Sequence, residues 1–167
     1  MKGAVADRAA PGQDRGAARH GSHVVLLASE GRPYSPAAIR RAAELARRHG
    51  GEVRVLMLAR MWGTALGFPH PGLRPSRREM DQHQENVTWA IGALRRAGVE
   101  ADGHIITTRK ATKSILREAS RVGCREIVMG GDPARNRVVA DFMWSQEAQR
   151  VQRRATVPVH VVSGSPA

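Results

Sequence analysis

The sequence predicts an α/β domain in which a five-stranded, doubly wound parallel sheet carries helices on both faces. Three observations predict it. Short apolar segments with strand character alternate with amphipathic segments of ten or more residues. The first of these strands, HVVLLAS, is a continuous apolar run, as expected of a central strand buried on both faces. The first three helical segments each stop at glycine, at Gly50, Gly98 and Gly123, before the next strand begins.

Residues 1–21 hold Ala, Gly and Arg without periodic apolar positions, so they are expected to form a disordered basic tail. The domain is expected over 22–163, with 164–167 as a short C-terminal tail. Strand one is Val24 to about Ser29. Ser35 then offers an N-cap and Pro36 the first helical position, with Ile39, Ala42, Ala43 and Ala46 at helical spacing before Gly50 and Gly51. Strand two, EVRVLMLA, alternates and then turns wholly apolar. It leads into a Gly- and Pro-rich loop, 60–75, whose Met61, Trp62, Leu66 and Phe68 suit either a lid or a segment folded back on the sheet or a neighbouring subunit.

A second helix is expected from about Ser76 to Ala97, its apolar stripe made by Met80, Val87, Trp89, Ala90, Ile91 and Leu94. Strand three is HIITT. A third helix runs from about Ala111 to Val122 with Ile115, Leu116 and Ala119 inward, and strand four is REIVMGG. A last helix, to about Ala155, precedes the strand VPVHVVS. Phe142 and Trp144 near that helix are read as core.

Composition narrows the function classes. With 167 residues and 41% hydrophobic content, one domain with a real core is expected. Neither an eighteen-residue apolar run nor a signal-peptide core is present, so a soluble cytoplasmic protein without membrane contact is expected. The one cysteine, Cys124, falls in a helix–strand turn and suits a small buried residue rather than a nucleophile. Of seven histidines only His20 and His23 are closely spaced, so no metal site is expected. Neither a Ser-His-Asp nor a Cys-His set, nor a G-x-S-x-G turn, is present, and an enzyme is not expected. The net charge of +12 fits solvated, arginine-rich helix faces or a surface for polyanions.

Three signatures in order resemble the universal stress protein family. LLASEGRPYSPAAIRRAAELA is laid out like the family's first strand, turn and Ala-rich helix. ATKSILREASRVGCREIVMGG resembles its third helix and fourth strand. Ala148, Arg150 and Val151, followed by Pro158–Val162, resemble its closing helix and strand. The resemblance implies a flavodoxin-like strand order, 3-2-1-4-5, with a ligand crevice where strands one and four end side by side. It implies a non-enzymatic module in stress response or signalling that binds ATP or another adenine nucleotide through a Gly-x-x-Gly, nine residues, Gly-Ser/Thr pattern. Those glycines let amides approach phosphates.

The chain departs from that pattern. Counted from Gly130, the later glycine positions fall on Pro133 and Met143, and counted back from Pro158 the Gly-Ser pair falls on Ser145 and Gln146. Proline removes an amide donor from the cradle, so ATP binding is expected to be weak or lost. Ser29, with Glu30 beside it, stands where members carry an acidic residue. Positive charge is gained instead at Arg109, Lys110 and Lys113 after strand three and at Arg135 and Arg137 after strand four. The candidate nucleotide- or anion-binding residues are therefore Ser29, Glu30, Met57, Arg109, Lys110, Gly130, Gly131, Arg135, Ser145 and Gln146. The resemblance also implies a homodimer through the last strand, with Pro158, Val159, His160, Val161 and Val162 at the interface. The alternative reading is a ligand-free protein docking on RNA, a ribosome or an acidic protein through its basic surface.

Overall fold

A computed structural model of the chain describes residues 22–61, 74–131 and 146–163. The expected tails, most of the 60–75 loop, and the segment holding Pro133, Arg135, Arg137, Phe142, Met143, Trp144 and Ser145 lie outside these residues. The elements run β1 (Val24–Ser29), α1 (Pro36–Arg48), β2 (Glu52–Arg60), α2 (Arg77–Arg96), β3 (Glu100–Thr108), α3 (Ala111–Arg121), β4 (Glu126–Gly131), α4 (Gln146–Arg154) and β5 (Val159–Ser163). All strands are parallel, in the order β3-β2-β1-β4-β5. This is the flavodoxin-like arrangement that the family resemblance implied.

The continuous apolar run of β1 has the meaning assigned to it. Successive side chains point to opposite faces, so Val25 and Leu27 join one core with α1 and α2, while Val24, Leu26 and Ala28 join another with α3 and α4. Ser35 caps α1 by accepting the Ala38 amide at 3.1 Å, with Pro36 next. Ser76 caps α2 in a reciprocal box with Glu79. The stops expected at Gly50, Gly98 and Gly123 hold, each with positive φ.

Two expectations are corrected. Trp89 does not join the inward stripe of α2: Val87, Ala90 and Leu94 keep the i, i+3, i+7 spacing and are buried, whereas Trp89, two positions from Val87, is 41% exposed. β3 begins at Glu100 rather than His104 because it pairs with β2 along its whole length, from Glu52↔Glu100 to Arg60↔Thr108. Asp102 and Gly103 are weak strand formers carried by that ladder. Arg54 of β2 bonds the Asp102 carboxylate, and the Gly103 hydrogen faces the Val55 carbonyl, where a Cβ would stand 2.4 Å from the oxygen.

Candidate functional site

The carboxyl ends of the strands gather the chemistry. β1 ends in a closed turn, in which the Ser29 hydroxyl accepts the Arg32 amide at 3.1 Å and donates to the Arg32 carbonyl. Gly31 makes the turn possible, with φ of 97°. Ser29 is thus occupied within its own turn. Beside it the Glu30 carboxylate is nearly buried and faces two guanidinium groups, Arg60 at 3.3 Å and Arg32 at 3.4 Å. The sequence placed Glu30 at the crevice, and the structure makes it the anchor of an ion-pair chain.

Arg60, the last residue of β2, continues that chain to Glu147 of α4 at 2.8 Å. Glu147 in turn accepts the Thr112 amide at 3.0 Å and the Thr112 hydroxyl, with Arg150 at 3.5 Å. The amide bond has a specific reason. α3 starts after Lys110, which makes no side-chain cap, so its exposed amides need an acceptor, and α4 supplies a carboxylate from across the layer. Burial raises the Glu147 pKa, but the two Thr112 bonds with Arg60 and Arg150 outweigh it and hold the carboxyl below its ordinary value.

Around this chain lies an open cleft of about 720 Å³. Among the described residues it is lined by six cations, Arg60, Arg109, Lys110, Lys113, Arg150 and Arg154, against the single carboxylate of Glu147. Arg60 and Arg150 are committed to Glu147. Among the described residues, Arg109, Lys110, Lys113 and Arg154 have no acidic partner, and all four are exposed. Arg109 and Lys110 thus reach a cleft as the sequence suggested, whereas Arg60, Thr112, Glu147, Arg150 and Arg154 were not anticipated. Glu147 lies 87 positions from Arg60 and 35 from Thr112, beyond any local spacing signal.

The remaining candidates are placed less directly. Met57 is fully buried in the core shared with α1 and α2, paired in register with Ser29, and presents no surface for a ligand. Gly130 and Gly131 end β4. At Gly130 a Cβ would meet nothing within 4 Å among the described residues. At Gly131 it would stand 2.8 Å from the Val161 side chain of β5, so packing between strands already accounts for that glycine. Gln146 opens α4, and Ser145 and Arg135 lie outside the described residues. Among the described residues β5 is an edge strand that pairs with β4 alone, and Val161 is 40% exposed on it. His160 is instead drawn inward to Glu126 and Arg41.

The sequence model of the universal stress protein family matches residues 21–163. A search of curated protein sequences finds no match. Among solved structures, a universal stress protein from Archaeoglobus fulgidus superposes with a TM-score of 0.63 at 23% identity, covering 83% of this chain and 92% of its own. The structure of the universal stress protein from the same organism in complex with dAMP gives 0.59 at 24% identity, covering 84% and 96%. A universal stress protein in complex with cAMP gives 0.60 at 16% identity, covering 86% and 98%. The family match spans every described element from β1 to β5, and the strand order agrees with what that family implies: this chain belongs to the universal stress protein family.

Proposed function

We propose that the chain is a non-enzymatic binding module of stress response or signalling whose carboxyl-end cleft takes a small anionic ligand, an adenine nucleotide foremost. The observation that carries this reading is the group of Arg109, Lys110, Lys113 and Arg154 around one cleft without acidic partners among the described residues. Such a group attracts phosphate by charge where a glycine cradle would hold it by amides. Relatives described in complex with dAMP and with cAMP support the same ligand class. The one carboxylate that lines the cleft among the described residues, Glu147, is bonded to Thr112, Arg60 and Arg150, which leaves it poorly suited to act as a general base. Binding without turnover is the expected behaviour.

The remainder of the reading is a cytoplasmic homodimer formed through β5. The described helices include none long and apolar enough to cross a membrane. The edge position of β5 and the exposure of Val161 favour pairing with a second copy.

Calorimetric titration with ATP, ADP, AMP and cAMP tests the cleft. Saturable binding tighter than about 100 μM, roughly 5.5 kcal/mol, is expected, weakened about tenfold or more in Lys110→Ala with Arg109→Ala. Absence of heat with every nucleotide would overturn the reading. Salt-dependent binding of RNA would then favour docking through the basic surface, whose exposed arginines lie on both helix layers, Arg40, Arg47 and Arg96 on one and Arg117 and Arg153 on the other.

A further inference from the structure

The opposite, amino end of the sheet carries a second cluster that the nucleotide reading leaves unused. His23 precedes β1, Glu126 opens β4, His160 lies in β5, and His49 caps the end of α1. Sequence spacing joined only His20 to His23; the fold joins residues 23, 49, 126 and 160. The His23 Nε2 is 3.0 Å from Glu126 Oε1, and the His160 Nε2 is 2.6 Å from Glu126 Oε2. The rings of His23 and His49 stack at 4.2 Å. Ligand atoms of His23, His49 and Glu126 all lie within 4.8 Å of one another.

The backbone holds this cluster rigidly. The Glu52 amide bonds the His23 carbonyl at 3.0 Å, and the Arg125 amide bonds the Val24 carbonyl at 2.8 Å. Gly51 lets the α1–β2 turn lie directly on His23, since a Cβ there would stand 1.9 Å from the His23 oxygen. That contact is what brings His49 over His23. The tautomer of His160 also follows. Arg41 Nη2 lies 3.3 Å from His160 Nδ1 and can only donate, so Nδ1 accepts and Nε2–H donates to Glu126. His160 thereby orients the carboxylate from behind, as carboxylate ligands are commonly oriented by an outer hydrogen bond.

We propose that His23, His49 and Glu126 form a binding site for a borderline divalent transition-metal cation, Zn²⁺ being the reference case, with His160 as the residue that positions the carboxylate. Two imidazoles and one carboxylate match zinc chemistry, which leaves a fourth position for water, whereas Ca²⁺ and Mg²⁺ require oxygen-rich sets. Ligands about 2.0–2.1 Å from a tetrahedral ion stand about 3.3 Å apart. Binding would require closing from up to 4.8 Å, a movement assigned to His49, which is exposed and would turn off its stack on His23. His23 then coordinates through a ring nitrogen that has released its proton. Arg41 opposes a cation, which places the expected affinity in the micromolar rather than the nanomolar range.

The test uses tag-free, metal-stripped full-length chain titrated with Zn²⁺ by calorimetry and with Co²⁺ by visible absorption. One equivalent is expected to bind with micromolar Kd, and His49→Ala, at an exposed position that leaves the metal-free unfolding midpoint unchanged, weakens it at least about tenfold. His23→Ala and Glu126→Gln are expected to behave alike, and His104→Ala on β3 to bind as the native chain does. Absence of saturable binding up to about 1 mM, or native affinity in His49→Ala, would overturn the proposal. A thiolate-to-cobalt band would do the same by assigning the metal to Cys124.

Discussion

Replacing Glu147 by alanine is expected to cost about 2–3 kcal/mol of stability, far more than a polar residue at the start of a nine-residue helix ordinarily contributes. The side chain is only 8% exposed and accepts from the Thr112 amide, the Thr112 hydroxyl and Arg60. Losing hydrogen bonds to a buried charged acceptor costs about 1.5–3 kcal/mol. The lost negative charge at the α3 N-terminus adds up to about 1 kcal/mol. Against this, Arg60 retains Glu30 at 3.3 Å and is partly solvated, so the full penalty of about 3–5 kcal/mol for stripping a buried pair does not apply. Glu147→Gln keeps an acceptor for the Thr112 amide and is expected to cost about 1 kcal/mol less than alanine. Urea unfolding followed by far-UV circular dichroism reads both, with the alanine midpoint lower by about 1 M or more at unchanged slope. An alanine variant within about 0.5 kcal/mol of the native chain, or a glutamine variant as unstable as alanine, would refute the assignment of Glu147 as the acceptor that caps α3.

Acid should unfold the protein through the same groups. The bidentate Arg121 contact holds the Glu118 carboxyl below its ordinary value, and Glu147 is lowered by Thr112, Arg60 and Arg150 against the opposing effect of burial. The folded state therefore binds fewer protons, so this stability is present above about pH 4.5 and is lost as pH falls through the depressed values; a thermal midpoint that stays level from about pH 5 to 3 would contradict it. Burial pushes the Cys124 thiol up to about 11, so a disulfide reagent at neutral pH is expected to label it at the rate of unfolding, and prompt labelling of the native chain would show the site to be open. Val161→Asp is expected to convert a dimer to a single chain in light scattering at micromolar concentration; a native chain already monomeric there, or a variant that stays dimeric, would remove β5 as the contact.

The fold was largely legible because its signals are local. The apolar run of β1, Ser35 with Pro36, and the glycines that end α1, α2 and α3 each act within a few residues. Trp89 was misplaced because an apolar side chain was counted without its helical phase, and the first half of β3 was missed because only its partner β2 makes Asp102 and Gly103 extended. The site was legible in part. Arg109 and Lys110, singled out by the charge of one turn, line the cleft, but the Glu30–Arg60–Glu147 chain joins three elements far apart in sequence. The histidines at 23, 49 and 160 meet Glu126 only through strand order. Pairing of this kind is a property of topology, not of spacing.

The Arg60 bridge has an electrostatic consequence for how a ligand would arrive. By pairing with both Glu30 and Glu147, it cancels part of the negative charge that offsets the neighbouring lysines and arginines. Counted over the described residues, the cleft carries a net positive charge, which steers diffusing anions before any contact forms. Association should slow steeply with added salt, since the screening length shrinks to about 8 Å at physiological ionic strength, while dissociation, set by short-range contacts, changes far less.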